Sequence, residues 1–143
     1  MNIIKEHIFP ENNLDNGKIE SIVSEASGSN IDLADLYMQY STVESWTCED
    51  GIVKNGSQHI DSGYGIRSIS NEKTGFSYGN NFDYNEIVKA SRLSKSIVQS
   101  SSSESLKLKE YSDFKKLYIS DSPLTSITDD RKVDFLKEMN KYI

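Results

Sequence analysis

Apolar and polar residues alternate along the stretch from residue 34 to residue 46. The large apolar side chains occupy even positions, namely Leu36, Met38, Tyr40 and Trp46. The odd positions between them carry mainly polar residues, among them Asp35, Gln39, Ser41 and Ser45. Successive side chains of an extended chain point to opposite faces, so this pattern gives one apolar and one polar face. It predicts a half-buried β-strand.

Short turn signals interrupt the residues that follow this strand. They are Gly51, the Asn55-Gly56 pair, the Ser62-Gly63 pair and Asn71. Glycine and asparagine tolerate the positive φ angles that tight hairpins need, and such signals between short apolar runs are typical of paired strands. We therefore predict that residues 34–79 form an antiparallel β meander with turns at these four places.

Helical periodicity appears on both sides of the predicted meander. Before it, one stripe of apolar residues predicts a helix over residues 14–26, with Gly28 placed to end it. The members of that stripe are Leu14, Ile19, Ile22, Val23 and Ala26. The residues 28–30 then form a turn into the first strand. The N-terminal residues 1–13 give only a weak signal, compatible with either a short helix or a strand.

After the meander, Asp83 and Glu86 have the spacing of a capping box, in which each side chain bonds the backbone N–H at the other position. This box predicts that a helix begins at residue 83 and continues to Val98. Its predicted buried stripe has spacings of three and four and consists of Ile87, Ala90, Leu93 and Ile97. The fold class is thus predicted to be α+β, with helices packed on an antiparallel meander.

The remaining residues predict a different organisation. The serine run 100–103 has nothing to bury, so residues 99–127 are interpreted as a linker or a draped loop. Thr128 precedes a helical pattern over 128–143, with Asp129 and Asp130 in its first turn, where the helix dipole favours acids. No stop signal follows that pattern. We expect a truncated chain, in which residues 1–98 form the first domain and 128–143 the first helix of a second.

Charge and composition reduce the number of functions that the chain could have. The formal net charge is −6, whereas nucleic acids and anionic membranes attract basic surfaces. No run approaches the roughly 20 apolar residues that span a bilayer. The first ten residues carry Glu6 and His7 where a signal peptide needs an apolar segment. We expect a cytoplasmic protein that binds neither nucleic acid nor membrane.

The chain contains few residues that could carry chemistry. It has one cysteine and two histidines, so no internal disulfide or pair of cysteine ligands can form. The best candidate for a metal or nucleophile cluster combines residues from one predicted hairpin, namely Cys48, Glu49, Asp50, His59 and Asp61. Turn chemistry at 49–51 and a small buried thiol at Cys48 explain these residues better, and we favour that interpretation.

Two further patterns allow a binding interpretation. The run from Gly63 to Ser68 has the look of a phosphate loop, but it lacks a third glycine and continues as a strand. Arg67 is accordingly predicted to be a surface cation. Four aromatic residues could instead form a peptide-binding face: Tyr37, Tyr64, Phe76 and Tyr78. Aromatic residues in sheets more often belong to the core, and we predict that these do.

An ordered series of short segments in the meander resembles a known family. The segments are Ala34-Asp35-Leu36-Tyr37, Glu44-Ser45-Trp46, residues 49–54 (Glu-Asp-Gly-Ile-Val-Lys), residues 63–67 (Gly-Tyr-Gly-Ile-Arg) and residues 72–78 (Glu-Lys-Thr-Gly-Phe-Ser-Tyr). Together they resemble the N-terminal domain of the TldD/PmbA (TldD/TldE) metallopeptidase family, and its TldD branch is the closer match. The resemblance runs from the 14–26 helix to Val98 and more loosely beyond it.

The resemblance implies part of a zinc-dependent cytoplasmic metalloprotease that pairs with a TldE/PmbA-like subunit. Family substrates are small or unfolded polypeptides, including antitoxin and peptide-antibiotic precursors. The family's zinc site uses an HExxxH helix and a cysteine in the C-terminal part of a longer chain. Neither His7 nor His59 is followed by glutamate, so no catalytic, cofactor-binding or metal residue is assigned here. We expect a segment that is inactive alone and contributes to the subunit interface or the wall around the substrate.

A second class of function remains open on the same residues. A free-standing α+β module without catalysis could hold a peptide or assemble with another protein through the exposed face or edge strand of the meander. The two readings differ in whether a catalytic part belongs to the same protein.

Overall fold

The computed structural model describes residues 4–98 and 122–142. Its helices are a π-helical turn at Ile4–Ile8, α1 at Phe9–Glu11, α2 at Asn16–Ala26, α3 at Tyr84–Val98 and α4 at Asp129–Met139. Its strands are β1 at Leu33–Glu49, β2 at Ile52–Ser70 and β3 at Lys73–Gly79. The described residues divide into a first unit, residues 4–40 and 61–98, and a second unit, residues 41–60 and 122–142. The predicted linker falls largely outside the described residues.

The three strands form one sheet in the order β1-β2-β3. β2 and β3 pair antiparallel in a register that runs from Tyr64 opposite Gly79 to Ser70 opposite Lys73. Helices pack on this sheet, so the predicted α+β class and the antiparallel meander are confirmed.

Two of the four predicted turns exist. Asp50 and Gly51 have φ angles of 50° and 72°, and Asn71 has a φ of 53°. These are the left-handed conformations that asparagine, aspartate and glycine accept most readily. The chain reverses direction at both places, between β1 and β2 and between β2 and β3.

The turns predicted at Asn55-Gly56 and at Ser62-Gly63 are wrong, because β2 runs through both pairs without interruption. These glycines serve close packing instead of chain reversal. A Cβ at Gly56 would lie 2.9 Å from the ring of Trp46, and a Cβ at Gly63 would lie 3.1 Å from the carbonyl oxygen of Gly79. Within a strand, a missing side chain lets a neighbouring group lie directly over the backbone.

The helix α2 confirms the predicted helix over 14–26, but the residue that ends the helix differs from the prediction. Asp15 caps its start by accepting a 2.8 Å bond from the backbone N–H of Lys18. At its other end the chain becomes extended at Ser27, whose hydroxyl donates a 2.8 Å bond to the Val23 carbonyl. Gly28 therefore does not end the helix. It belongs to the predicted following turn, which a 2.9 Å bond from the Ile31 N–H to the Gly28 carbonyl closes.

The helix α3 begins as predicted, but only half of the capping box forms. The Asp83 carboxylate accepts the backbone N–H groups of Asn85 at 2.9 Å and Glu86 at 3.2 Å. The N–H of Asp83 donates to the Asn81 side chain, while Glu86 pairs with Lys89 at 2.6 Å. The Asp83 N–H and the Glu86 carboxylate each have another partner nearby, so Glu86 does not bond the Asp83 backbone.

The buried side of α3 differs from its predicted stripe. Ile87 is buried, but Leu93 and Ile97 are 56% and 55% exposed. The helix instead buries Ser91 and Ser94, both at 0% exposure. These small residues let the helix backbone approach the sheet more closely than leucine would allow.

The core lies between α2, α3 and one face of the sheet in the first unit. Its buried members are Ile8, Leu14, Ile22, Ala26, Tyr64, Ile66, Phe82, Ile87 and Val88. Leu36, Met38 and Tyr40 pack against this cluster, which confirms the alternation predicted for the first strand. The N-terminal segment contributes Ile8 and is therefore docked on the domain.

In the second unit, α4 forms where a helix is predicted, but it ends at Met139. The N–H of Asn140 donates to the Leu136 carbonyl at 3.0 Å, and residues 140–141 form a turn. The expectation that this helix runs on to the last residue is therefore wrong. Among the described helices, none is both long enough and apolar enough to cross a bilayer.

An ion pair joins α2 to α3 and predicts a pH effect. Arg92 donates two 3.0 Å bonds to the Glu25 carboxylate. These bonds hold the pKa of Glu25 below its usual value of 4.5, against the opposing effect of burial and with help from Lys95. A depressed carboxyl pKa stabilises the fold at pH values above the unfolded pKa, and this stabilisation is lost as the pH falls through the folded pKa.

We expect Arg92→Ala to raise the pKa of Glu25 towards 4.5, as measured by NMR titration of the side-chain carboxyl. The stability change should stay below about 1 kcal/mol, because the arginine is largely exposed. Lys89→Ala, which removes a neighbouring pair on the same helix, is the control. A Glu25 pKa that moves in the control but not in Arg92→Ala would contradict this assignment.

Candidate functional site

The structure separates the candidate metal or nucleophile cluster. Cys48 and the turn at 50–51 lie at one end of the β1-β2 hairpin, while His59 is an exposed residue seven positions along β2. At about 3.3 Å per residue, this places His59 about 23 Å along the strand from Ile52. Within residues 4–98 and 122–142, no three His, Cys, Asp or Glu side chains converge as metal ligands. These residues do not fit a zinc ion.

The glycine-containing run from Gly63 to Ser68 lies wholly inside β2. It opens no helix, so the strand interpretation is confirmed. Arg67 is exposed and donates to Asp35 through both Nε and Nη2. These bonds and the charge of Asp35 raise the pKa of Arg67. The prediction of a surface cation is also confirmed.

The four aromatic residues fall on both faces of the sheet. Tyr64 is 7% exposed and belongs to the core, as predicted. The prediction is wrong for the other three, because Tyr37, Phe76 and Tyr78 are 63%, 55% and 80% exposed. We call these three residues the aromatic face.

Strand alternation explains why β3 presents its aromatic residues outwards. Gly75 and Ser77 are the buried residues of this strand, and Ser77 donates a 2.8 Å bond to the Ala90 carbonyl of α3. Phe76 and Tyr78 must then point away from the helices. The signal was present in the sequence, since only small residues occupy the alternate positions 75, 77 and 79.

The aromatic face has a defined geometry. The rings of Phe76 and Tyr78 are stacked, with centroids 6.0 Å apart and planes inclined by 27°. Phe76 also lies across Gly65, where a Cβ would be 2.9 Å from the ring. Tyr37 donates a 3.1 Å hydrogen bond to Gln39 on the same strand. A phenylalanine ring over a bare strand position is a stable cross-strand arrangement.

A groove of about 470 Å³ lies at the aromatic face, entirely within the first unit. Its lining consists of Tyr37, Gln39, Asp61, Ser62, Gly63, Tyr64, Gly65, Phe76, Tyr78, Gly79 and Asn80. The lining contains one carboxylate and no lysine or arginine. Burial raises the pKa of Tyr64, and Glu86 raises it further, so the phenol is neutral at physiological pH. The groove is therefore aromatic and mildly electronegative.

The second unit contains a separate polar pocket of about 610 Å³. There Lys132 of α4 pairs with Glu44 at 2.8 Å and with Asp129 at 3.0 Å. Trp46 donates its indole N–H to the same Glu44 carboxylate, and the ammonium lies 6.0 Å from the indole ring. The bond to Glu44 and then the bond to Asp129 raise the pKa of Lys132. The lysine is therefore a charged structural partner and a poor nucleophile.

Comparison with known proteins matches residues 34–98 to the family model described as PmbA/TldA metallopeptidase domain 1. The chain is 34% identical over 138 residues to a metalloprotease TldD homolog of Haemophilus influenzae. It is 30% identical over 142 residues to a metalloprotease TldD homolog of Buchnera aphidicola subsp. Schizaphis graminum. A homolog of the same description from the Acyrthosiphon pisum subspecies is 27% identical over 138 residues.

These alignments cover the chain and its relatives unequally. They include 95%, 98% and 96% of this chain but 29% of each relative. The chain therefore spans less than a third of the length of the relatives that it matches.

Proposed function

Because this chain carries the first domain of the TldD/PmbA metallopeptidase family at residues 34–98, we propose that it is a non-catalytic part of a zinc-dependent metalloprotease. The relatives are named as metalloproteases, and we extend this activity to the protein of which this chain forms part. Zinc and its ligands then lie outside the residues described here.

One observation carries the non-catalytic role. A segment that matches a metallopeptidase domain contains, among its described residues, no convergent group of metal-ligating side chains. Three of its cationic residues form ion pairs with carboxylates instead, namely Arg67, Arg92 and Lys132. These paired charges have a structural role in the described residues.

The proposal includes a partner, a substrate class and a location. The protein pairs with a TldE/PmbA-like subunit in the cytoplasm, and the heterodimer acts on small or unfolded polypeptides of the antitoxin or antibiotic-precursor type. The first domain contributes to the subunit interface or to the wall around the substrate. The free-standing binding module shares the lack of catalysis, and the exposed aromatic face is compatible with both functions.

We expect the 143-residue chain to hydrolyse no polypeptide, with or without added zinc. Unfolded casein is the probe, and released peptides are measured by mass spectrometry over several hours. His59→Ala and Cys48→Ala variants are assayed in parallel. Zinc-dependent cleavage by the chain that disappears in either variant would place catalysis in the hairpin and overturn the proposed role.

A further inference from the structure

The aromatic groove combines strand glycines with exposed rings. Gly63 and Gly65 of β2 lie on the same face of the sheet as Phe76 and Tyr78, and the Phe76 ring covers Gly65. Glycines in a strand allow another backbone to approach closely. Single exposed aromatic residues are ordinary, whereas several that share one groove indicate a binding site.

The charge of the groove lining favours a positively charged ligand. Asp61 is its only charged lining residue among the described ones. The nearby cation Arg67 is already paired with Asp35. Aromatic ring faces attract cations, and a carboxylate beside them strengthens that attraction. The chain as a whole carries a net charge of −6, which also favours a basic partner.

We propose that this groove binds an extended polypeptide segment in which a basic and an aromatic side chain lie two residues apart and therefore share one face. The basic side chain binds the Asp61 carboxylate, and the aromatic side chain two residues along packs against the stacked rings of Phe76 and Tyr78. This inference rests on the proposed function, because it gives the sequence chemistry by which unfolded substrates of the protease are held. An acidic segment is repelled by the same groove.

The direct test uses two synthetic peptides and the full 143-residue chain. The basic probe is a blocked peptide of repeated Lys-Gly-Phe-Gly, which puts lysine and phenylalanine on one face of an extended chain, and the acidic probe replaces each lysine by glutamate. Both carry the same fluorophore, and binding is followed by fluorescence anisotropy. We expect the basic probe to bind at least about tenfold more tightly than the acidic probe. Equal binding of the two probes, or no binding of the basic one, would overturn the inference.

Variants locate the site. Tyr78→Ser removes a ring that is 80% exposed, so folding should be retained, and we expect binding to weaken about tenfold. Tyr142→Ser removes a ring that is 89% exposed elsewhere and is the matched control. Asp61→Asn should also weaken binding, whereas Asp130→Asn should not. Equal losses in the groove variants and their controls would show that the peptide binds elsewhere.

Two further measurements distinguish a failure of the groove assignment from a failure of the proposed non-catalytic role. Mass spectrometry of the peptide after each titration detects cleavage, and a cleaved peptide would overturn the non-catalytic role even if it binds. An intact peptide that does not bind leaves that role in place and overturns only the groove assignment. A thymidine oligonucleotide that competes with the basic peptide would identify the rings as a base-stacking site and also contradict the inference.

Discussion

Changing Gly75 to alanine should lower the free energy of unfolding by about 3 kcal/mol, the upper range for overpacking a well-packed site. A Cβ at this position would lie closer to the Ser94 carbonyl oxygen than any van der Waals contact permits, and 3.1 Å from the Cβ of Ile97. The obstructing carbonyl belongs to the backbone of α3, so no side-chain rotation can relieve the clash. The helix must move away from β3, and its buried contacts are weakened.

The measurement is urea unfolding followed by far-ultraviolet circular dichroism. Gly17→Ala is the control, because it makes the same chemical change at the start of α2, where the nearest atom to the new Cβ is a side-chain oxygen at 3.3 Å. We expect this control to change stability by less than about 1 kcal/mol. If both variants unfold at the same urea concentration, α3 does not lie on the bare backbone of β3 as described.

Replacing Lys132 by methionine should destabilise the second unit, since it leaves the mostly buried Glu44 carboxylate without its cation. The side chain of Glu44 is 12% exposed and that of Lys132 is 17% exposed. Trp46 is the only tryptophan of the chain and bonds the same carboxylate, so its fluorescence reports on this unit directly.

Urea unfolding followed by tryptophan fluorescence measures the loss. Lys137→Met, on the exposed side of α4, should leave the midpoint nearly unchanged. Adding Glu44→Gln to Lys132→Met should recover part of the stability, because the carboxylate that then lacks its cation, Asp129, is exposed to water. A double variant less stable than Lys132→Met would mean that Glu44 stabilises the unit in some other way.

Local signals predicted the elements whose causes are local. Asp15 and Asp83 are caps in the sequence and in the structure, and the alternation of β1 fixes which of its residues enter the core. The turns at Gly51 and Asn71 follow from residues that accept positive φ angles. These features depend on a few neighbouring residues, so the sequence alone reveals them.

The predictions were wrong where contacts between residues distant in sequence determine the local structure. Gly56 looked like a turn residue because its partner, the ring of Trp46, is distant in sequence. Leu93 and Ile97 looked buried because helical periodicity gives a stripe but does not say how closely the helix approaches. Because Gly75 has no side chain, α3 packs close to β3 with the small residues Ser91 and Ser94 buried. Leu93 and Ile97 then point towards solvent.

The candidate site was missed for a related reason. Alternation along β3 assigns residues to two faces, but it does not say which face the helices cover. Once α3 is placed over Gly75 and Ser77, the aromatic residues Phe76 and Tyr78 are necessarily exposed. The same packing that builds the core therefore leaves the aromatic groove available for a polypeptide.

The most direct test of the proposed non-catalytic role of this segment is a calorimetric titration of zinc into the 143-residue chain. We expect no site of about micromolar affinity or tighter, because the described residues offer no convergent ligand set. One zinc ion bound per chain, with the binding lost in Cys48→Ser or His59→Gln, would contradict the account.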